Sequence, residues 1–473
     1  MDPLMDIQDL NLSREQATPL YLQIYQRYCH AIASGALNAG DRVPSVRSLA
    51  SELNLARGTV EMAYQMLIGE GYLISRGAAG TVVAAGLNRL VEAPPSPRPA
   101  AAPAPTQGIP HSEILPFQLG VPALDLFPRK SWARLATRHL RNMEMVTPDP
   151  AGHPALRRAI ATYLGISRGI RCSHEQVFIT VGYRGALDLV CRALLRAGDL
   201  GWFEEPGYFH ARQFLQQAGL RLHPVPVDMH GMDVSQGEQT ADEARFAVVT
   251  PTHQSPMGVA LSLPRRLALL EWAERRNAWI IEDDYDSEFR YHGRPLPPLK
   301  SLDHQGRVLY TGTFSKVLYP GLRLAYLVVP EAQVARFREL VAQLPGAGNP
   351  VLQATLADFM DQGHFTRHLS KMRRVYAERH GYLVDALATR LGDRLRVQPQ
   401  AGGIQLLAQV AGGVTDQQLV EVAQANGLAL HALSSWYMNP AQQRGVMMGF
   451  ANFASAEQAD RAVQQLLSLW PAE

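Results

Sequence analysis

The 473-residue chain has little cysteine and no long hydrophobic run. Its three cysteines, Cys29, Cys172 and Cys191, are scattered without a CxxC pair or the spacing of metal ligands, a distribution typical of reduced packing residues. No apolar run approaches the roughly 20 residues that span a bilayer. The acidic start, "MDPLMDIQDL", lacks the basic and apolar regions of a signal peptide. These absences predict a cytoplasmic protein without a metal site.

Lysine is absent from residues 1–85, which hold six arginines and eight acidic residues, and the whole chain has a net charge of only +2. Bulk charge therefore indicates no particular partner. Because a single core stops growing at about 250–300 residues, the length predicts two or three domains.

Proline and alanine crowd residues 92–110, "EAPPSPRPAAAPAPTQGIP", where neither helical nor strand periodicity is visible. Such a segment behaves as a semi-rigid extended spacer of about 3 Å per residue. We predict one domain over residues 1–85, a linker over 86–113 and a second domain over 114–473.

The first domain has the pattern of three helices and a hairpin. An apolar four-residue step from Leu20 to Ile32 predicts the first helix. Ser45 can cap the second helix, "VRSLASELNL", and "RGTVEMAYQML" predicts a third with Val60 and Leu67 on its buried face. Two short strands with a Gly-rich turn follow in "YLISRGAAGTVVA". This order is typical of a winged helix-turn-helix.

Arginines fall at the places where a winged helix touches DNA. Arg42 and Arg47 flank the start of the second helix, Arg57 opens the third, and Arg76 lies beside Gly77 at the wing turn. Ordinary solvated arginines are the alternative. The positions favour DNA contact.

The second domain alternates short Val/Ile runs with helical segments, as in "QVFIT" before "RGALDLVCRALLRAG" and "RFAVVTP" before "PRRLALLEWAERRN". This pattern predicts a large, mostly parallel sheet covered on both faces. From about residue 380 onward the pattern predicts a smaller α+β lobe.

The chemistry centres on one lysine, Lys316, in "TGTFSKVLYPGLRLAY". A surface lysine at a strand end is the plain alternative, and the acids in "IIEDDYDSEF" are equally compatible with a solvated loop or a metal site. Together, however, the residues supply what pyridoxal 5'-phosphate (PLP) requires. These are an amine for the aldehyde, a carboxylate for the ring nitrogen, a phenol for the ring oxygen, a stacking aromatic and a phosphate cradle: Lys316, Asp283, Tyr285 and Tyr208, then Gly182, Thr313, Ser315 and Arg323.

Residues 114–473 resemble fold-type I aminotransferases, and the whole chain resembles the MocR (GabR-like) branch of the GntR transcription regulators. The resemblance rests on ordered blocks that include "PDPAGHPALRRAIATYL", "TVGYRGALDLVCRALL", "EEPGYFHAR" and "TGTFSKVLYPGLRLAYLVVP". It implies that Lys316 forms the Schiff base with PLP and Asp283 pairs with the pyridinium. It also implies phosphate contacts from Gly182, Tyr183, Arg184, Thr313, Ser315 and Arg323. Asp284, Asp286 and Glu288 are expected to support the site from behind.

The GntR resemblance is carried by "GDRVPSVRSLASEL", "LARGTVEMAYQML" and "GEGYLISRGAAGT". It implies that Arg47, Arg57, Gly58, Thr59, Arg76 and Gly77 lie at the DNA. Together with Arg42 and Ser45, these are the predicted DNA-binding residues. Glu61 stands where some relatives have an arginine, which predicts a changed base preference or a weaker contact.

Three positions depart from the aminotransferase pattern. Ser255, counted among the cofactor residues, stands where an Asn is usual, and Thr147 stands where a Tyr reaches the neighbouring subunit's phosphate. Met447 occupies the position of the substrate-carboxylate Arg, and neither Arg444 nor Arg212 is in register to replace it. Loss of that clamp favours a sensor over a fast transaminase.

We therefore predict a homodimeric, PLP-dependent regulator that binds operator DNA and senses a small amine, an amino acid or PLP through Lys316. For this sensor we expect at most weak transaminase half-reactions. Two alternatives stay open: a catalytically active aminotransferase fused to a DNA-binding arm, and a regulator that has abandoned PLP. The effector, the operator and the sign of regulation are not encoded in recognisable motifs.

Overall fold

The structure, a computed structural model, describes residues 12, 18–85, 113–142, 148–291, 296–344 and 346–470. The chain divides into two compact units, residues 1–110 and 111–473. The predicted linker, 86–113, lies outside the described residues except for Glu113, as does Thr147. Across these described ranges, no helix is long and apolar enough to cross a membrane.

Residues 18–85 of the first unit form three helices and three short strands. In chain order they are α1 (Leu20–Ala33), β1 (Arg42–Val43), α2 (Val46–Glu52), α3 (Arg57–Gly69), β2 (Leu73–Ser75) and β3 (Thr81–Val83). The buried faces of α1 and α3 match the apolar steps in the sequence, with Ile24, Val60 and Leu67 fully inaccessible to solvent. Ser45 caps α2 by accepting a hydrogen bond from the Ser48 amide at 3.1 Å.

The wing is larger than the sequence predicts. Beside the expected hairpin of β2 and β3, the residues described here place β1 as a third strand, in the order β1-β3-β2. Arg42 pairs with Val82 and Val43 with Thr81, both antiparallel. A two-residue strand carries no readable alternation, so the sequence pattern could not reveal it.

The helices of the second unit that the described residues include cover both faces of a large sheet and build a smaller lobe. They are α4 (Arg129–Asn142), α5 (Pro154–Arg168), α6 (Gly182–Leu194), α7 (Phe209–Gln217), α8 (Val234–Ala241), α9 (Leu263–Arg276), α10 (Val334–Ala342), α11 (Pro350–Asp361), α12 (His364–Leu391), α13 (Asp416–Ala425) and α14 (Ala456–Ser468).

The strands form two sheets within the described part of this unit. The strands are β4 (Val177–Val181), β5 (Leu200–Glu205), β6 (Arg221–Asp228), β7 (Gly231–Met232), β8 (Phe246–Val249), β9 (Trp279–Asp284), β10 (Val308–Thr313), β11 (Leu324–Val328), β12 (Leu395–Val397), β13 (Gln405–Val410), β14 (His431–Ala432) and β15 (Gly445–Gly449). The large sheet has the order β4-β11-β10-β9-β8-β5-β6-β7, and the small lobe the order β12-β13-β15-β14.

The centre of the large sheet is parallel and buried on both faces. On β8, Phe246 and Val248 pack with α6 and α7, whereas Ala247 and Val249 pack on the opposite face with Trp272 of α9. A strand covered on both sides is apolar throughout, which is why "FAVV" shows no alternation. The predicted fold class, a winged helix-turn-helix plus a type I transferase fold, is confirmed.

One strand expected in the parallel pattern runs the other way. β11 is antiparallel to both β10 and β4. Only residues 314–323 connect β10 to β11, and this segment holds Lys316. A parallel neighbour needs a crossover of a dozen or more residues, so this short connection forces the reversal.

Candidate functional site

A cleft of about 430 Å3 opens where β4, β5, β9 and β10 end. All eleven residues predicted for the cofactor line it: Gly182, Tyr183, Arg184, Tyr208, Ser255, Asp283, Tyr285, Thr313, Ser315, Lys316 and Arg323. These residues come from separate segments spread over 142 positions, and the sheet brings them together because the carboxyl ends of parallel strands meet at one edge.

Lys316 points its ammonium group into the cleft from the connection after β10. Its Nζ donates a hydrogen bond to the Gly120 carbonyl oxygen at 3.2 Å. Desolvation lowers the pKa of this lysine, while the negative charges of Asp286 and Asp283 act in the opposite direction. The net effect favours the neutral, nucleophilic amine more than in water.

Gly120 makes room for that amine. A Cβ atom built on Gly120 would lie 2.2 Å from the Nζ of Lys316, and the residue has a φ of +75°. Only glycine meets both conditions without strain. No sequence pattern indicates this role, since "FQLGVP" has an ordinary turn composition.

Asp283 lies near the end of β9 and is 6% exposed. Burial raises the pKa of its carboxyl to about 8, and the adjacent charge of Asp284 acts in the same direction. The carboxyl therefore lacks a neutralising neighbour strong enough to offset its desolvation. The buried Tyr183 hydroxyl lies beside Asp283 and acts to lower that pKa, but it does not outweigh the desolvation. The Asp283 carboxyl is therefore suited to a cationic ligand atom.

Asp284 and Asp286, from the same stretch "EDDYDSE", do not line the cleft, and their contacts stabilise the loop after β9. Arg168 of α5 and the Tyr310 hydroxyl both donate to Asp284. Although burial alone would raise it, the Arg168 guanidinium keeps the pKa of Asp284 below its ordinary value. Asp286 pairs with His253 through Nδ1 and Oδ1, 2.8 Å apart. These contacts fix the carboxyl end of β9.

One end of the cleft combines a helix N-terminus with arginines and hydroxyls. α6 begins at Gly182, whose φ is +71° and whose absent Cβ would lie 3.4 Å from the Arg323 guanidinium. Thr313 accepts a hydrogen bond from the Ser315 amide at 3.1 Å, which folds the loop beside them. Backbone N–H groups, the helix dipole and two exposed guanidiniums, Arg184 and Arg323, suit a phosphate.

The small lobe closes the cleft with residues that no motif predicts. Gln405, His431 and Trp436 line it, beside His210 and Phe209 of α7. Burial lowers the pKa of both histidines, so these side chains are largely neutral near pH 7. No recognisable spacing connects them to Lys316 in the sequence, because the fold alone brings the small lobe to this edge.

Neither arginine considered for a carboxylate clamp faces a free ligand. Arg212 donates to the Tyr437 carbonyl at 2.8 Å and more weakly to the Trp436 and Ser435 carbonyls. Arg444 is exposed and does not line the cleft, and Met447 is buried within the small-lobe packing. Arg212 therefore holds backbone in place.

In the first unit, the predicted DNA residues lie on the surface of α2, α3 and the wing. Arg42, Ser45, Arg47, Arg57, Gly58, Arg76 and Gly77 are exposed, and Thr59 is half-buried in the first turn of α3. Arg42 also donates to the Ala79 carbonyl at 2.6 Å, which ties β1 to the wing. Its DNA contact stays a prediction, as do those of the others.

Comparisons with known proteins match both units. Residues 20–83 match the family of bacterial regulatory proteins, gntR family, and residues 114–456 match aminotransferase class I and II. The chain is 39% identical over 459 residues to the probable rhizopine catabolism regulatory protein MocR of Rhizobium meliloti, covering 93% of this chain and 92% of that protein. It is 32% identical to the pyridoxine biosynthesis transcriptional regulator PdxR of Corynebacterium glutamicum, covering 93% and 94%.

Among solved structures, the chain resembles the α-aminoadipate aminotransferase LysN of Thermus thermophilus, complexed with N-(5'-phosphopyridoxyl)-L-leucine. The identity is 29%, the TM-score 0.67, and the match covers 75% of this chain and 92% of that one. Together these matches define a class in which a GntR DNA-binding domain precedes an aminotransferase-like body. The chain belongs to the MocR-like branch of the GntR transcription regulators.

Proposed function

We propose that this regulator binds PLP in the cleft around Lys316 and changes its affinity for operator DNA when an amine, an amino acid or PLP itself binds there. One observation carries the proposal. The eleven residues named from the sequence for the cofactor all line a single cleft, in a chain that also has a GntR domain.

The donor set fits the chemistry of PLP at each end. Lys316 offers an amine of lowered pKa, and Asp283 is a buried carboxyl whose raised pKa calls for a cationic neighbour. At the other end, the N-terminus of α6 offers backbone donors to an anion. When bound, PLP supplies an aldehyde and an electron-withdrawing ring.

The chain's own residues would then orient the cofactor and control its protons. Lys316 would hold it covalently, and Asp283 would share a proton with the ring nitrogen. Arg323 and the Thr313 and Ser315 hydroxyls would anchor the phosphate. Tyr208 would cover the ring face, consistent with its place in the wall of the cleft.

Sensing requires that the ligand bind one state of the protein better than another, because only differential affinity shifts an equilibrium. We propose a cytoplasmic homodimer as the acting species. One relative is named for rhizopine catabolism and another for pyridoxine biosynthesis, and the second name supports PLP as a candidate effector.

A catalytically active aminotransferase is the second candidate, favoured by the presence of both Lys316 and Asp283 in the cleft. The commitment of Arg212 to backbone carbonyls and the buried Met447 argue against rapid turnover of ordinary amino acids. Steady-state assays across amino donors, which require repeated turnovers, distinguish this candidate from a sensor.

The cofactor proposal is tested on the purified full-length chain. PLP should give a visible absorption band and, after borohydride reduction, an adduct at Lys316 located by mass spectrometry. Lys316→Ala should lose both, whereas the exposed Lys371→Ala should retain them. A colourless wild-type protein without an adduct would refute PLP binding.

The sensing proposal needs a DNA measurement. A duplex selected by the chain from a random library serves as operator, and its Kd is measured with and without PLP and a panel of primary amines and amino acids. We expect at least one ligand to change the Kd in wild type and not in Lys316→Ala. If no ligand changes it, the sensing role is wrong.

A further inference from the structure

His253 lies directly behind Tyr285, in the loop between β8 and α9, and no motif assigned it a role. Its ring is 8% exposed and stacks on the Tyr285 ring, with the ring centroids 5.9 Å apart and an interplanar angle of 26°. One nitrogen, Nδ1, lies 2.8 Å from Oδ1 of Asp286 and 3.3 Å from the Tyr285 hydroxyl oxygen. The histidine therefore joins a buried carboxylate to a residue of the cleft.

The direction of these hydrogen bonds follows from the chemistry of the partners. An ionised carboxylate only accepts, so the proton of this pair sits on Nδ1 of His253. An Nδ1–H cannot accept from the Tyr285 phenol, and the phenol oxygen must instead accept from it. The proton of the phenol is then left for an acceptor elsewhere.

The far nitrogen of His253 supports the same tautomer. Nε2 has no protein partner among the described residues, and His253 lines a small cavity of about 20 Å3, the size for one water molecule. Three more unpartnered atoms belong to residues lining this cavity: the Nε–H groups of Arg168 and Arg290, which donate, and Oδ2 of Asp286, which accepts. A water accepting from both arginines and donating to Asp286 and Nε2 satisfies all four.

We propose that His253 is a positioning residue that directs the Tyr285 hydroxyl proton into the cleft, toward an oxygen atom of the bound ligand. The identity of that oxygen, the ring oxygen of PLP, rests on the proposed function. Burial raises the pKa of Tyr285 well above its ordinary value, so the phenol keeps the proton it is to donate. Asp286 holds the histidine in place, and Tyr285 makes the ligand contact.

The charged groups around the histidine also come from neighbouring elements. Asp284 at the end of β9 and Arg290 further along influence the His253 pKa in opposite directions, and Arg168 of α5 lines the shared cavity. Burial lowers the pKa of His253, but Asp286 outweighs that effect and the net pKa is raised. In either charge state Nδ1 keeps its proton, so the direction of the hydrogen bond is preserved.

The test is the pH dependence of the visible absorption of the PLP-loaded, full-length chain. A donor to an oxygen stabilises its ionised form, so a lost or misdirected donor raises the pH at which the spectrum changes. Because a hydrogen bond to a charged group contributes about 1.5–3 kcal/mol, Tyr285→Phe should raise the midpoint by about one to two pH units. His253→Phe, which keeps a stacking ring but no donor, should raise it by about one unit.

Conservative replacement separates positioning from packing. Asn places an amide nitrogen near the position of Nδ1, so His253→Asn should restore a midpoint close to that of wild type. His253→Gln places its amide near Nε2 and should behave like His253→Phe, which keeps the test open if the Phe variant does not fold. The matched control is His139→Phe, which disrupts a histidine–Asp358 pair between α4 and α11 and should leave the midpoint unchanged.

The outcomes separate this inference from the proposed function. A wild-type chain with no visible band overturns PLP binding and this role together. A wild-type band with an unshifted midpoint in both His253→Phe and His253→Gln overturns the role of His253 alone. An upward shift in both variants that Asn restores is the expected result.

Discussion

The buried ion pair behind the cleft can be tested by removing its cation. Replacing Arg168 with Met keeps much of the side-chain volume but leaves the Asp284 carboxylate without its counter-charge. Neutral hydroxyl donors remain near it, from Tyr310 at 2.5 Å and Thr252 at 3.2 Å and from the neighbouring Ser287. Both members of the pair are less than 10% exposed, so water cannot take the place of the guanidinium.

The expected loss of stability is large because the Asp284 carboxylate would be buried without a counter-charge and out of reach of solvent. Breaking a buried pair in this way costs about 3–5 kcal/mol in the free energy of unfolding. Adding Asp284→Asn to Arg168→Met removes the stranded charge and should recover about 2 kcal/mol of that loss. The double variant is therefore expected to be more stable than the single arginine variant.

The stability difference between wild type and Arg168→Met should depend on pH in a definite direction. In wild type the pKa of Asp284 is depressed, so its contribution to stability is present above the unfolded pKa and is lost as pH falls through the folded pKa. In Arg168→Met the pKa of Asp284 is raised instead, and protonation on acidification relieves the stranded charge. The deficit of the variant should therefore shrink as the pH is lowered.

Tryptophan fluorescence during urea unfolding is the assay, since all six tryptophans lie within residues 111–473 and report only on that unit. Urea midpoints and slopes are compared for wild type, both single variants and the double variant. If Arg168→Met lowered the free energy of unfolding by less than about 1 kcal/mol, the value of an exposed ion pair, the reasoning would be refuted. It would also be refuted if the losses of the two single variants simply added in the double variant.

Three further predictions follow from other residues. The pKa of Asp283 is raised to about 8, so its carboxyl binds a proton more tightly in the folded state than in the unfolded state. As the pH rises from 5 to 8, PLP-free wild type should therefore lose stability more steeply than Asp283→Asn. The difference in slope should be roughly 1 kcal/mol per pH unit in urea unfolding. Gly120→Ala should displace the Lys316 amine and weaken PLP binding at least tenfold, about 1.4 kcal/mol, as measured by absorption titration. Arg57→Ala should reduce the preference for selected over random duplex by about 1–3 kcal/mol in gel-shift assays, with tryptophan-monitored unfolding unchanged.

The sequence was most informative where local chemistry and the fold agree. The helix face of α3 could be predicted because four buried residues repeat with helical spacing, and Ser45 because a capping hydroxyl precedes an apolar run. The lining of the cleft could be predicted because these residues sit at strand ends, where a parallel sheet collects its ligands; their contacts with a cofactor stay a prediction.

Long-range features were not predictable in this way. The reversal of β11 depends on the length of one connection, and the third strand of the wing on only two residues. Gly120 acts 196 positions before Lys316, and Gln405 and His431 reach the cleft only because the small lobe packs there. His253 sits in an ordinary polar stretch, and only the packing of its ring against Tyr285 suggests its role.

Residues 437–439, in the segment after β14, are held at the edge of the cleft by hydrogen bonds to one acidic and one basic side chain. The Glu205 carboxylate at the end of β5 accepts hydrogen bonds from the Met438 and Asn439 amides, while Arg212 donates to the Tyr437 carbonyl. Moving this segment away would leave the Glu205 carboxylate and the Arg212 guanidinium without these hydrogen-bond partners. We therefore expect small molecules to enter and leave beside Arg184 and Arg323, which are exposed and line the cleft, while the segment after β14 stays in place.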